Sequence, residues 1–416
     1  MQATPYALRL IDQELGGLIH RLQMVKPLAM HETMVPAAIP RNRALSHIDR
    51  YLLQGRGKLL TNAHRFKQWL RSSQARASRG ESIYRRFVFL RLQASAALTQ
   101  FDLFADAVTQ RSEAGTGILL RGMEYLAEDA LQIQDTPYTP PPMLCYLDHG
   151  IGAAIRRART RLPGGGENPV ALIRVPRERM VGLGIASSLV HEVGHQGAAL
   201  LNLVPTLQGA MQPLLHGPGM AFNPWQSWHR WVSEIVADLW SVSRVGMAST
   251  LGLINVVSLP RPFVFRANLD DPHPTPWLRV LLSAEMGRQL YPHDEWQRLR
   301  TTWQQMYPGH RHDVGQRDVM HALAEHIPLF VHWLLRQPVP AANYRTLKDL
   351  LFDPALGPHA LHNRFEQWEQ SPRLVDAMRP CQVFALAAYA RLVRGKGSQA
   401  ESHNLHRLLH RWALQA

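Results

Sequence analysis

Residues 180–204 read MVGLGIASSLVHEVGHQGAALLNLV, and no other stretch of the chain is as informative. No proline interrupts the run until Pro205, and apolar residues recur at Leu183, Leu189, Val190, Val193, Ala198, Leu200 and Leu201. That spacing predicts a mostly buried helix of about five turns or more. Gly182, Gly184 and Gly194 each lower helix propensity by up to about 1 kcal/mol. Gly194 offers in exchange a close approach to a neighbouring element. His191 and His195 are four residues apart and share one helix face, so both imidazoles can aim at one metal ion, with Glu192 beside it. Two histidines and a carboxylate on so apolar a helix are costly to bury unless something pairs with them, and a metal would do so.

Two downstream segments supply further groups. Residues 231–240, WVSEIVADLW, have a helical pattern that puts Glu234 and Asp238 on one face. A catalytic zinc site takes three protein ligands and an open position for water, so Glu234 is the expected third ligand. Asp238 can accept a hydrogen bond from the far nitrogen of a ligating histidine and fix its tautomer. The competing reading is a solvated acidic face, or ion pairs with Arg230 or Arg244. Residues 270–279, DDPHPTPWLR, carry three prolines that dictate a rigid approach to a helix starting near Trp277. A histidine held on such a turn, His273, can donate to the oxyanion of a tetrahedral intermediate. Otherwise it is a loop histidine without a role.

His191-Glu192-x-x-His195 followed by Glu234-x-x-x-Asp238 resembles the signature of the gluzincin metallopeptidases. The later His273-Pro274-x-x-x-x-Arg279 is similar to a segment of the CAAX-prenyl endoprotease family and its soluble relatives, in which the His and Arg lie at the active site. The resemblance covers roughly residues 168 to 290. It implies a zincin-like domain with zinc on His191, His195 and Glu234, and Glu192, His273 and Arg279 as catalytic residues. Prenylated substrates are not implied, because the chain lacks the transmembrane helices of the membrane members.

Around these motifs, Pro169-Val-Ala-Leu-Ile-Arg-Val-Pro176 reads as a strand, with Pro176 marking an edge or an end. Zincins resemble one another in placing an edge strand before the metal-binding helix, where a peptide can add to it. Residues 204–224 are rich in Gly and Pro and are expected to form a long loop, with His216 as a rival ligand. Trp225, Trp228 and Trp231 at spacing three are core residues, or in the case of Trp231 line a substrate pocket.

The chain has 416 residues, long enough for two or three domains. Arg9, Asp12, Glu14, His20 and Arg21 exclude a signal-peptide core, and the apolar run 246–260 is too short to span a bilayer. The two cysteines, Cys145 and Cys381, argue against a disulfide framework and point to a cytoplasmic location. Helices are expected at 6–25, 43–71, 82–110 and 117–131, a proline-rich boundary at 136–143, and helices again at 317–335, 383–392 and 401–414. The histidines of the C-terminal third, His310, His312, His321, His326, His332, His403, His406 and His410, show no third ligand or carboxylate that would make a second metal site.

From Arg41 to Arg91 there are 13 Lys/Arg and two acids, Asp49 and Glu81, within a chain of net charge +14. Such a patch can meet nucleic acid, anionic lipid or an acidic partner. Yet 41 of the 46 basic residues are arginine, which reflects coding bias as much as phosphate contacts. The stretch has few aromatics and no nucleic-acid motif, so nucleic acid is not the expected partner.

The sequence therefore predicts a mainly α protein with a small β-sheet, in which a zincin-like catalytic domain (137–300) is flanked by helical regions (1–136 and 301–416). The expected activity is zinc-dependent hydrolysis of a peptide or protein substrate without a transmembrane segment; oligomeric state is not written in it. The alternative is a non-catalytic zinc-containing interaction or regulatory protein that binds nucleic acid through residues 41–91.

Overall fold

A computed structural model describes residues 3–149, 152–162, 166–177, 182–216, 222–266, 271–309, 314–395 and 398–415. Asp270, His310 and His312 lie outside them. The fold is mainly helical, with a three-stranded sheet and a two-stranded ribbon among the described residues. The chain divides into two compact units. One comprises 1–121, 141–146 and 156–172; the other comprises 122–140, 147–155 and 173–416. Neither expected boundary, at 136 or at 300, falls on this division.

The first unit is built on three long helices, α1 Pro5–Met24, α2 Asn42–Leu70 and α3 Gly80–Thr109. Thr4 caps α1 by accepting from Ala7 N, and Pro5 takes the first helical position, where no amide donor is required. Ile11, Leu15, Leu18, Ile19 and Leu22 recur at helical spacing and bury one face against Leu59, Ala63 and Leu70 of α2 and Ile83, Phe87 and Leu90 of α3. Much of the basic stretch 41–91 sits on the outer faces of α2 and α3. Of its aromatics, Phe87 is buried, Phe66 and Trp69 stack on each other, and Tyr84 and Phe89 are exposed.

After α4 (Ala114–Leu131) come β1 Met143–Asp148, β2 Ala154–Arg156 and β3 Ala171–Pro176, ordered β1-β3-β2. The strand expected at 169–176 is therefore β3, and it lies in the middle of this sheet rather than at its edge. Pro176, which cannot donate to a ladder, ends it. The edges are β1 and β2, the latter a three-residue segment too short to be read from its sequence.

In the second unit α5 spans Gly184–Leu200, shorter than the 180–204 pattern suggests. Asn202 adopts a left-handed conformation (φ 52°), which stops the helix, and α6 Leu203–Met211 begins at once. Pro205 falls in the first turn of α6, where its missing N–H costs nothing. The expected long loop is thus partly helical. Asn223 then caps α7 Pro224–Val245, which is followed by α8 Met247–Val257 and α9 Pro276–Leu290. Helix α9 packs against α7, α8, α10 (Asp294–Met306) and α11 (Val314–Leu335). Through these contacts residues beyond 300 share the core of the second unit. Trp228, Trp231, Trp240, Trp296 and Trp303 are all fully buried there. No helix among the described residues is long and apolar enough to cross a membrane.

Helix α5 crosses α7 at close range. A Cβ on Gly194 would lie 2.9 Å from the Cα and O of Ala237, and one on Gly197 would lie 2.3 Å from the Trp240 ring. Gly194→Ala gains helix propensity of about 1 kcal/mol but collides with backbone that no rotamer change relieves. A net destabilisation of about 1–3 kcal/mol is expected. Urea unfolding checks this, and an unchanged midpoint would show that the helices separate freely.

Candidate metal centre

Helix α5 presents His191 and His195 one turn apart, with ring centroids 4.9 Å apart and nearly perpendicular. The glycine-mediated crossing brings Glu234 of α7 under both rings. His191 Nε2 lies 3.3 Å from Glu234 Oε2, and His195 Nε2 lies 3.4 Å from Glu234 Oε1. One donor atom from each of the three residues falls within 4.8 Å of the others, the one such metal-binding group among the described residues. His216, the rival ligand, is not part of it.

One turn beyond Glu234, Asp238 receives His191 Nδ1 at 2.8 Å. This leaves Nε2 of that ring turned toward Glu234, the arrangement that orients a histidine for a metal. Two imidazole nitrogens and a carboxylate oxygen, nearly buried and backed in this way, fit a zinc-type donor set. Asp238 is held in turn by Arg279 on the first turn of α9, through Nε to Oδ2 at 2.6 Å and a terminal nitrogen to Oδ1 at 2.8 Å. Arg279 also reaches within 4.0 Å of Glu234. Its guanidinium therefore braces Asp238, approaches Glu234 and lies 3.2 Å from His191 Nδ1. Six residues beyond His273, it has been carried by the helix to the α7 side.

His273 arrives on the proline-rich turn before α9, and its Nε2 is 3.4 Å from Glu234 Oε2. All seven residues singled out in the sequence are thus gathered around Glu234 or adjacent to those that are. Trp231, considered as a pocket wall, is instead core: it is fully buried and its Nε1 donates to Asp271 O at 2.9 Å. The sequence gives no sign of two groups at the centre. Ile155 of β2 donates its backbone N–H to Glu192, and Asp271 accepts from His273. The first is a main-chain contact, invisible in residue identity; the second sits beside the quoted motif, where aspartate reads as ordinary turn chemistry.

The charges are strongly coupled. Burial alone would lower the His191 pKa, but the Asp238 carboxylate and its hydrogen bond overcome this and lift it to about 9. His195 moves the other way, to about 4, through burial and then the neighbouring His191 charge. Burial opposes ionisation of Glu234, yet the His191 hydrogen bond and the surrounding cations hold it at about 2. Asp238 is likewise lowered, its burial outweighed first by Arg279. Burial raises Glu192 above the usual carboxylate range, the direction that makes a carboxylate a better base.

No protein-family model, curated protein or solved structure matches the chain. The functional reading therefore rests on the side chains themselves.

A proton count tests the centre directly. Near neutral pH His191 carries protons on both nitrogens and His195 is neutral. A metal taking His191 Nε2 must displace one of those protons, so binding should release about one proton per ion. The release should fade as pH rises through about 9, where His191 is already deprotonated. Calorimetry of zinc binding in buffers of differing ionisation enthalpy measures it. Binding without proton release at neutral pH would contradict the assignment.

Proposed function

We propose that the chain is a soluble zinc-dependent peptidase of the gluzincin type. The observation that carries the reading is the convergence of His191, His195 and Glu234 with Glu192 beside them, while Asp238 occupies the far nitrogen of His191. Three protein donors, rather than four, form the group among the described residues, as suits a catalytic rather than a purely structural site.

His191, His195 and Glu234 would hold the ion. When bound, zinc supplies Lewis acidity to the reaction. Glu192 takes a proton from the attacking water and returns it to the leaving amine. Its burial raises its affinity for a proton, which favours the first of these transfers. The edge strand β2 offers main-chain groups to an extended peptide, and its Ile155 N–H already rests on the Glu192 carboxylate. His273 lies on the other flank of Glu234, where it can meet the oxygen of a scissile carbonyl. Arg279 acts through Asp238 and not on the substrate.

Metal analysis of the purified protein, together with cleavage of a peptide library, tests the reading. Zinc present without cleavage of any peptide would favour a structural metal site in an interaction protein. Glu192→Gln keeps size and removes the base. It should retain zinc and lose at least about 100-fold in turnover, and unchanged turnover would sink the mechanism. Glu234→Ala should weaken zinc binding more than Asp238→Ala does, the latter costing about 10- to 100-fold in affinity or activity. The reverse order in a zinc titration would remove Glu234 from the ligand set.

A further inference from the structure

We propose that Asp271, braced by Arg266, is the positioning residue that aims His273 into the metal centre. The inference rests on the peptidase reading for its consequence in turnover, but its geometry stands apart from it.

Pro272 and Pro274 flank His273 and have no backbone N–H, so the amide of His273 is the one donor in that tripeptide. It donates to Asp271 Oδ1 at 2.9 Å, and the Nδ1 of the same residue meets that oxygen at 2.9 Å. A single carboxylate oxygen thus grips both the backbone and the ring of His273. The other oxygen receives the guanidinium of Arg266. Asp271 is itself anchored, because its carbonyl accepts from Nε1 of Trp231, a buried residue one turn before Glu234 on α7. The same helix therefore fixes both the carboxylate of Glu234 and the turn that carries His273.

The grip has a purpose that packing cannot serve. The His273 side chain is 48% exposed, so neighbouring apolar groups do not hold the ring in place. Asp271, at 17% exposure, is the better sheltered partner. With Nδ1–H committed to Asp271, Nε2 becomes the nitrogen offered to a substrate, and it is the one that lies 3.4 Å from Glu234 Oε2. In the neutral ring Nε2 accepts; in the doubly protonated ring it donates. Asp271 therefore decides which nitrogen faces the reacting atoms, as the carboxylate partner of a catalytic histidine does in other settings.

The test uses the full chain and two readouts. Nitrogen-15 spectra of the metal-free protein at alkaline pH report the His273 tautomer, assigned by comparison with His273→Gln. The wild type and Asp271→Asn, whose side-chain oxygen still accepts, should show the Nδ1–H form; Asp271→Ala should shift toward Nε2–H. In the zinc-loaded protein, Asp271→Ala should lower kcat by about 10- to 100-fold, the usual loss for an orienting partner, with KM and zinc content little changed. Asp271→Asn should recover most of that loss. A wild-type protein in the Nε2–H form overturns the proposal whether or not any variant folds. So does an Asp271→Ala tautomer identical to the wild type, or an Asp271→Asn enzyme as impaired as Asp271→Ala. If the wild type cleaves no peptide, the peptidase reading fails and the tautomer alone decides the positioning.

Discussion

The approach of α5 to α7 at Gly194 and Gly197 is the constraint on which the centre depends. Any side chain at either position would meet Ala237 or the Trp240 ring well inside contact distance. Because the helices touch there, residues one turn away on each are brought within reach of one another. His191 and His195 on one helix then share Glu234 on the other, and His191 also reaches Asp238. Distances of this kind are set by backbone against backbone, which is the stiffest part of a packed interior. Trp228 of α7, also fully buried, stacks on Phe330 of α11.

Gathering so many ionisable groups in a nearly buried place carries an electrostatic cost that must be offset locally. Here Arg279 and the protonated His191 face Glu234 and Asp238, while burial opposes the ionisation of Glu192. The cluster is balanced by position as well as by sign, since Arg279 bonds Asp238 at two points. Truncating Arg279 would leave a buried carboxylate exposed to the full desolvation penalty, which for such pairs is typically about 3–5 kcal/mol.

Much of this was legible in the sequence because helices repeat every 3.6 residues. Four-residue spacings put His191 with His195 and Glu234 with Asp238, and the mainly helical character with a small sheet followed from the same periodicities. What was not legible depends on direction and on main-chain atoms. Residue identity cannot say that Arg279 turns toward Asp238, nor that the N–H of Ile155 reaches Glu192. Pro205 misled in the opposite sense: it reads as a breaker, but in the first turn of α6 a proline is harmless. Asn202 broke the preceding helix where only its left-handed backbone, and no charge or apolar pattern, marks the spot.

The proton on His191 has a meaning beyond acid–base chemistry. It supplies a positive charge beside the place among His191, His195 and Glu234 that the proposed cation would take. Small metal-organised folds unfold when stripped of their ion, because its binding free energy is their folding free energy. Here the helices that carry these residues are joined by packing of their own, with Gly194 and Gly197 of α5 against Ala237 and Trp240 of α7. A proposed ion would therefore meet donors placed by the backbone rather than have to assemble them, so little of its binding free energy would be diverted to ordering the chain.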